Sequence, residues 1–292
     1  MPRVRSRFAK RFYNECGRRR KAMRPNRLRE RIDKGGVLVG VAPPFVTPEV
    51  VEFFGLLGLD WIFLDGEHGP IGVESCYSLV RAADAVGLAT VLRVPANEPW
   101  LILSYAESGA DAILVPHVTD AAAAERLVHA TRYSPAGNRG AMSGSRAANY
   151  GLTQTSVDYF AAADRHVLPM AMIEDVKAID NLDEIAAVPG LDTFLIGPGD
   201  LAMSMGFPGG FDNPAVRDEV HRAATTLAGA GKTVATVVAD ADSAARVIQA
   251  GVSLVTISAG PLIARATRDV VATIRGFVPA TAPMPASESA SV

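Results

Sequence analysis

Eight short runs of apolar, largely β-branched residues recur along this chain, each followed by a stretch with helical spacing. No other feature restricts its possible folds as much. The runs are Val37–Val41, Trp61–Asp65, Thr90–Arg93, Ala112–Val115, Val167–Ile173, Thr193–Gly197, Thr233–Val238 and Leu254–Ser258. They are apolar on both faces, as strands covered from both sides must be. Helical patterns follow at Pro48–Leu57, Val73–Val86, Pro99–Ser108, Ala121–Thr131, Val176–Val188, Pro214–Ala230, Ala241–Ala250 and Pro261–Phe277. Eight strand–helix units predict an α/β protein with a single closed (β/α)8 TIM barrel. The competing architecture, a doubly wound open sheet, needs a Gly-rich phosphate turn after its first strand, and Ala42-Pro43-Pro44-Phe45 does not supply one. The connection from Tyr133 to Asp164 is unusually long, and long loops inside compact domains are usually functional or mobile.

A length of 292 residues with 49% hydrophobic and 21% charged composition supplies a sizeable water-soluble core. No apolar run approaches the roughly 20 residues needed to span a bilayer, so no membrane helix is expected. Two cysteines, Cys16 and Cys76, make no disulfide framework and fit a reducing cytosol, which predicts a cytoplasmic protein. The net charge of −2 hides an asymmetry: positions 1–31 carry 13 Lys/Arg against 2 acids. Residues 1–25 are expected to form a disordered basic extension, with Met23 as an alternative start. Residues 26–278 form the barrel domain, and the Pro/Ala/Ser-rich 279–292 a disordered tail. A basic arm is able to touch nucleic acid or anionic lipid, or to serve as a targeting segment. A dispensable arm is the favoured reading, so no nucleic-acid partner is expected.

Barrel chemistry gathers at the C-terminal ends of the strands. Applied here, that rule selects Asp65-Gly66-Glu67-His68-Gly69-Pro70 after strand two and Arg93-Val94-Pro95 after strand three. It also selects Pro116-His117 after strand four, Met172-Ile173-Glu174-Asp175 after strand five and Gly197-Pro198-Gly199-Asp200 after strand six. A carboxylate after a strand is often only the cap of the next helix, and Asp175 and Asp240 suit that role. Glu174 and Asp200 end neighbouring strands and would repel unless a cation sat between them; oxygen ligation of that kind suits Mg2+ or Mn2+. No His/Cys cluster with zinc spacing exists. His68, three residues from Asp65, permits a carboxylate–imidazole pair fit for acid–base work, whereas a lone loop histidine would be incidental. Arg93 ends an apolar strand, where it either pairs with Asp65 or Glu67 or stabilises an oxyanion. Glycines around Asp200 allow backbone N–H groups to approach an anion. His117 is balanced between pocket wall and active residue, and His129, His166 and His221 read as structural.

Asp65-Gly66-Glu67-His68-Gly69-Pro70, Arg93-Val94-Pro95, Arg132-Tyr133-Ser134-Pro135-Ala136-Gly137-Asn138-Arg139-Gly140, Ile173-Glu174 and Gly197-Pro198-Gly199-Asp200-Leu201 together resemble the HpcH/HpaI aldolase family in order and spacing over about residues 26–277. Any one motif is weak; five in order are specific. The resemblance implies a class II pyruvate aldolase of the group that includes the 4-hydroxy-2-oxoheptanedioate, 2-dehydro-3-deoxyglucarate and 2-keto-3-deoxy-rhamnonate aldolases. It implies Glu174 and Asp200 as ligands of a divalent ion (Mg2+, Mn2+ or Co2+) and His68, held by Asp65, as the acid–base residue. It implies Arg93 near the keto or enolate oxygen, and the amides of Gly199 and Asp200 on the substrate carboxylate. It further implies 2-oxo acid and aldehyde substrates and a homo-oligomer, dimer-based or hexameric, with its last helix exchanged between neighbours. Three departures put substrate identity in doubt: Met172 stands where relatives carry Gln, Ala202 replaces a frequent Ser, and Ile257-Ser258-Ala259-Gly260 is one residue shorter than the usual stretch. No lysine ends a strand, which disfavours a Schiff base. Two other readings stay open: a related lyase or hydrolase acting on acyl-CoA or another 2-oxo acid, and a non-enzymatic barrel whose basic arm binds nucleic acid.

Overall fold

The computed structural model describes residues 24–277. Eight parallel strands close into a barrel in the order of the chain: β1 (Leu38–Ala42), β2 (Trp61–Asp65), β3 (Ala89–Arg93), β4 (Ala112–Val115), β5 (Leu168–Ile173), β6 (Thr193–Ile196), β7 (Thr233–Val238) and β8 (Leu254–Ser258). β1 closes on β8, with Leu38 beside Leu254 and Ala42 beside Ser258. The (β/α)8 barrel predicted from the alternation is the fold. The expected disorder of the termini concerns residues almost wholly outside the described ones. Of the basic segment, Arg24 and Pro25 are described, and Arg24 is docked: it donates to the Gly109 carbonyl and pairs with Asp84 at 2.8 Å.

The period-two alternation of the strands sorts side chains into two cores. Ile62 and Leu64, Leu92, Ile113 and Val115, Ala171 and Ile173, and Phe194 and Ile196 face outward and pack against the helices. Trp61, Ala89 and Val91, Ala112 and Leu114, Leu168, Met170 and Met172, and Leu195 face inward and fill the barrel. Gly40 makes room for Trp61, since a Cβ at that position would lie 2.2 Å from its ring. A helix at Arg27–Lys34, not anticipated from the pattern, plugs the N-terminal end by inserting the fully buried Leu28 into the inner core. Its start is tied down by Asn26, whose side chain caps Arg29 N–H at 2.8 Å and donates to the carbonyls of Asp111 and His166.

The predicted helices form, with local differences. Val176–Val188 is broken at Asn181 into Val176–Asp180 and Leu182–Ala186, and Asn181 donates instead to the Thr119 carbonyl at 2.9 Å. The long connection contains a helix, Ser156–His166, capped by Thr155. A short helix, Pro198–Ser204, follows β6 directly and begins with proline, whose missing N–H costs nothing in a first turn. Among the described residues no helix is long and apolar enough to cross a membrane.

Candidate active site

The inward parity that fills the barrel with Trp61, Val91 and Met170 also decides which polar side chains reach its open end. The alternation places Asp65 two residues beyond Phe63, Arg93 two beyond Val91 and Glu174 two beyond Met172. Asp65 and Arg93 are direct partners in the β2–β3 register. Arg93 Nε donates to Asp65 Oδ1 at 2.9 Å and Nη2 to Oδ2 at 2.6 Å, while Nη1 lies 3.0 Å from Glu67 Oε2. The guanidinium is buried, stands over the Phe63 ring at 5.3 Å, and turns its remaining edge to Met172 Sδ at 3.7 Å. Burial alone would raise the Asp65 carboxyl and lower Arg93. The paired hydrogen bonds and opposite charges outweigh it in both, so Asp65 is held below and Arg93 above its ordinary range.

The expected Asp65–His68 imidazole pair does not form. Asp65 spends its oxygens on Arg93 and on the backbone N–H groups of Glu67 (3.0 Å) and His68 (3.2 Å). That turn points Glu67 inward and leaves the His68 ring 65% exposed, 4.0 Å from Glu67 Oε2. His68 is therefore at the rim, with Glu67 rather than Asp65 as its nearest carboxylate.

His117, left undecided from the sequence, belongs to the site. It follows β4 with φ +51°, one of three non-glycine residues in the left-handed region among those described. Its N–H donates to Glu174 Oε1 at 2.9 Å; its Nδ1 lies 3.0 Å from Asp175 Oδ2, and its Nε2 3.8 Å from Glu67 Oε1. Asp175 does occupy the N-cap position of Val176–Asp180, but its side chain makes no cap and serves His117 instead. Burial disfavours the charged imidazole, yet the bond to Asp175 and the charges of Glu174, Asp175 and Glu67 raise its pKa. Glu67 and His117 join the cluster although the sequence did not settle their placement, and Asp175 joins it through His117 although it read as a helix cap. The clue for His117 was its position directly after Val115-Pro116.

Glu174 is the deepest of these groups at 1% exposure, and its Oε2 is buried without a hydrogen-bond partner. Burial first, and then the charge of Asp200, push its pKa up to about 7 against the opposing effects of His117 and Arg93. It faces Gly197, where a Cβ would come within 3.0 Å of Oε2 and 2.7 Å of Met172 Cε. Asp200 lies in the first turn of Pro198–Ser204, and a side chain at Gly199 would meet nothing within 4 Å, so this turn borders open space. A buried carboxylate with an idle oxygen, next to a second acid, is costly unless a cation binds there. Among the described residues no three His, Cys, Asp or Glu side chains form a ready metal cage. Two carboxylates alone suit an ion that keeps positions for water and substrate. Two clefts of about 270 Å³ each open at the other end of the barrel, both lined by Arg24 and His166; neither touches this cluster.

Residues 43–260 match the family described as HpcH/HpaI aldolase/citrate lyase. The chain is 34% identical over 260 residues to a hydroxypyruvate/pyruvate aldolase of Pseudomonas aeruginosa, covering 87% of this chain and 95% of that one. It is 36% identical over 200 residues to a 5-keto-4-deoxy-D-glucarate aldolase of Salmonella arizonae, covering 68% and 77%. A crystal structure of a family protein from Burkholderia cenocepacia superposes with a TM-score of 0.80 at 31% identity, covering 86% of this chain and 99% of that one.

Proposed function

The chain belongs to the HpcH/HpaI aldolase/citrate lyase family, whose aldolase relatives make it a carbon–carbon lyase. From that membership we propose that it is a divalent-metal-dependent aldolase, cleaving a 4-hydroxy-2-oxo acid to pyruvate and an aldehyde. The observation that carries the metal is the idle, buried Oε2 of Glu174 beside Gly197 and within electrostatic reach of Asp200. Glu174 and Asp200 would hold the ion, Mg2+, Mn2+ or Co2+, which when bound supplies a Lewis acid for the 2-oxo acid.

The chain's own residues divide the remaining work. Arg93, fixed by Asp65 and Glu67, places its positive charge where the C2 oxygen gains electrons. The amides of Gly199 and Asp200 border the space for the substrate carboxylate. His68, exposed at the rim with Glu67 beside it, takes the proton of the 4-hydroxyl. As that O–H bond breaks, the C4–O double bond forms, the C3–C4 bond breaks, and its electron pair passes into the enolate of pyruvate. Delivery of one proton to C3, with His68 giving up the proton it took, completes pyruvate and restores the base. Met172 occupies an edge of the Arg93 guanidinium with a weak sulfur acceptor, and this makes the site less polar beside the keto group.

The proposal includes a homo-oligomer built through the last helix. The test of the chemistry is exchange of the pyruvate methyl protons in deuterated water. Exchange that requires Mg2+ or Mn2+ and is abolished by chelation supports the reading. No exchange in the metal-loaded protein overturns it.

A further inference from the structure

The left-handed backbone at His117 has a visible purpose. Residue 117 follows a proline at the end of β4, and its N–H points across to β5, where it donates to Glu174 Oε1 at 2.9 Å; its φ of +51° breaks the strand alternation, so that the next amide faces β5 as well. The neighbouring amide reinforces the turn, since Val118 N–H donates to the Met172 carbonyl at 3.3 Å. One oxygen of Glu174 is thereby occupied and the other left idle. Among the described residues the amide makes the one hydrogen bond to the Glu174 carboxylate; the His117 Nδ1 stands farther from the same Oε1, at 3.5 Å, and Gly197 leaves the opposite side without a side chain.

We propose that the backbone amide of His117, rather than its imidazole, is the positioning group that aims Glu174 Oε2 at the cation site. The left-handed conformation lets the chain turn off β4 at this residue while this amide and the next both face β5. Such a conformation is strained for residues with a Cβ, is tolerated best by glycine, asparagine, aspartate and histidine, and is worst for β-branched residues. The imidazole has a supporting part: its bond to Asp175 Oδ2 at 3.0 Å holds residue 117 against the first turn of the next helix. Strain kept at a functional position is expected to serve it.

The inference rests on Glu174 as a metal ligand, and the test separates the two. Mn2+ affinity of the purified chain is measured by electron paramagnetic resonance for wild type, His117→Gly, His117→Asn, His117→Ala and His117→Val, with Glu174→Gln alongside. Gly and Ala both lack the ring and differ at this position in the cost of the left-handed backbone. Gly and Asn are expected to bind Mn2+ within about threefold of wild type, Ala several-fold more weakly, and Val about tenfold or more weakly. Circular dichroism of the metal-free variants checks that each is folded, and the Gly–Ala comparison stands even if Val is not. Equal affinities for Gly and Ala, both well below wild type, would assign the effect to the ring and overturn the proposal; so would a folded Val variant that binds like wild type. Wild-type affinity in Glu174→Gln would instead remove the metal reading itself.

Discussion

Arg93 and Asp65 face each other across β3 and β2 and are joined by two hydrogen bonds, 2.9 and 2.6 Å long, so that each fixes the other at the mouth of the barrel. Asp65 at the same time accepts the amides of Glu67 and His68 and so shapes the loop that carries both. Asp65→Ala leaves a buried guanidinium short of a partner and releases that loop. Breaking a buried pair of this kind costs about 3 kcal/mol or more. The expected result is a lower urea midpoint together with at least a ~100-fold fall in kcat/KM for the aldol reaction. Arg93→Lys, which keeps the charge and loses the fork, should lose activity comparably while losing less stability. An Asp65→Ala enzyme with wild-type kcat/KM would show that the pair is structural only.

Gly197 is the clearest steric test of the site. A Cβ there would lie 2.7 Å from Met172 Cε and 3.1 Å from Glu174 Cβ. Overpacking of this degree costs about 1–3 kcal/mol in stability. Because the clash falls on Glu174 itself, Gly197→Ala should weaken Mn2+ binding and pyruvate proton exchange by more than its thermal destabilisation explains. Adding Met172→Ala relieves the nearest contact and should restore part of the stability but little of the metal affinity, since the contact with Glu174 Cβ persists.

Much of this architecture was legible because both faces of every strand are buried, so β-branched runs announce themselves. Position at the ends of those runs singled out Asp65, Arg93 and Glu174, and the strand register of the structure turns all three inward. What stayed hidden depends on contacts between distant segments. The Arg27–Lys34 helix is mostly charged, and only Leu28 reveals its role, once the barrel exists to receive it. The Asp65–His68 pair was plausible by spacing alone. It fails because Arg93, 28 residues away, is a bidentate competitor for the same oxygens. His117 carries no sequence sign of its left-handed backbone.

His166 gives the stability a pH dependence of known sign. It is buried at the N-terminal end of the barrel, and burial, opposed by Asp111 and reinforced by Arg24, lowers its pKa to about 4. An unfolded histidine titrates near 6.5. Between those values the unfolded chain binds the proton that the folded chain refuses, so stability is lost as pH falls below about 6.5. From pH 7.5 to pH 5 this single group should cost about 2 kcal/mol. Urea midpoints at the two pH values, for wild type and for His166→Gln, measure it. An unchanged pH difference in the variant would assign the effect to other groups.

The last helix, Ala259–Gly276, buries only Ala259. Yet Ile263, Val270 and Ile274 recur at helical spacing and are 48%, 59% and 61% exposed, and Phe277 beyond them is 78% exposed. Each such side chain, if covered, contributes about 1.5–3 kcal/mol, so a stripe of four left in water is a large unclaimed stabilisation. In a (β/α)8 barrel the eighth helix ordinarily covers the strands it follows; here residues 265–277 are exposed all round. A second copy of the chain is the expected cover, as the proposed homo-oligomer requires. Val270→Asp with Ile274→Asp should shift the molar mass in light scattering from an oligomer to about a monomer, without disturbing Glu174 or Arg93, which lie on other elements. Exposing the stripe should also lower thermal stability and make the remaining stability independent of protein concentration. A wild-type chain that is monomeric at micromolar concentration would refute this assignment, and the stripe would then need another partner.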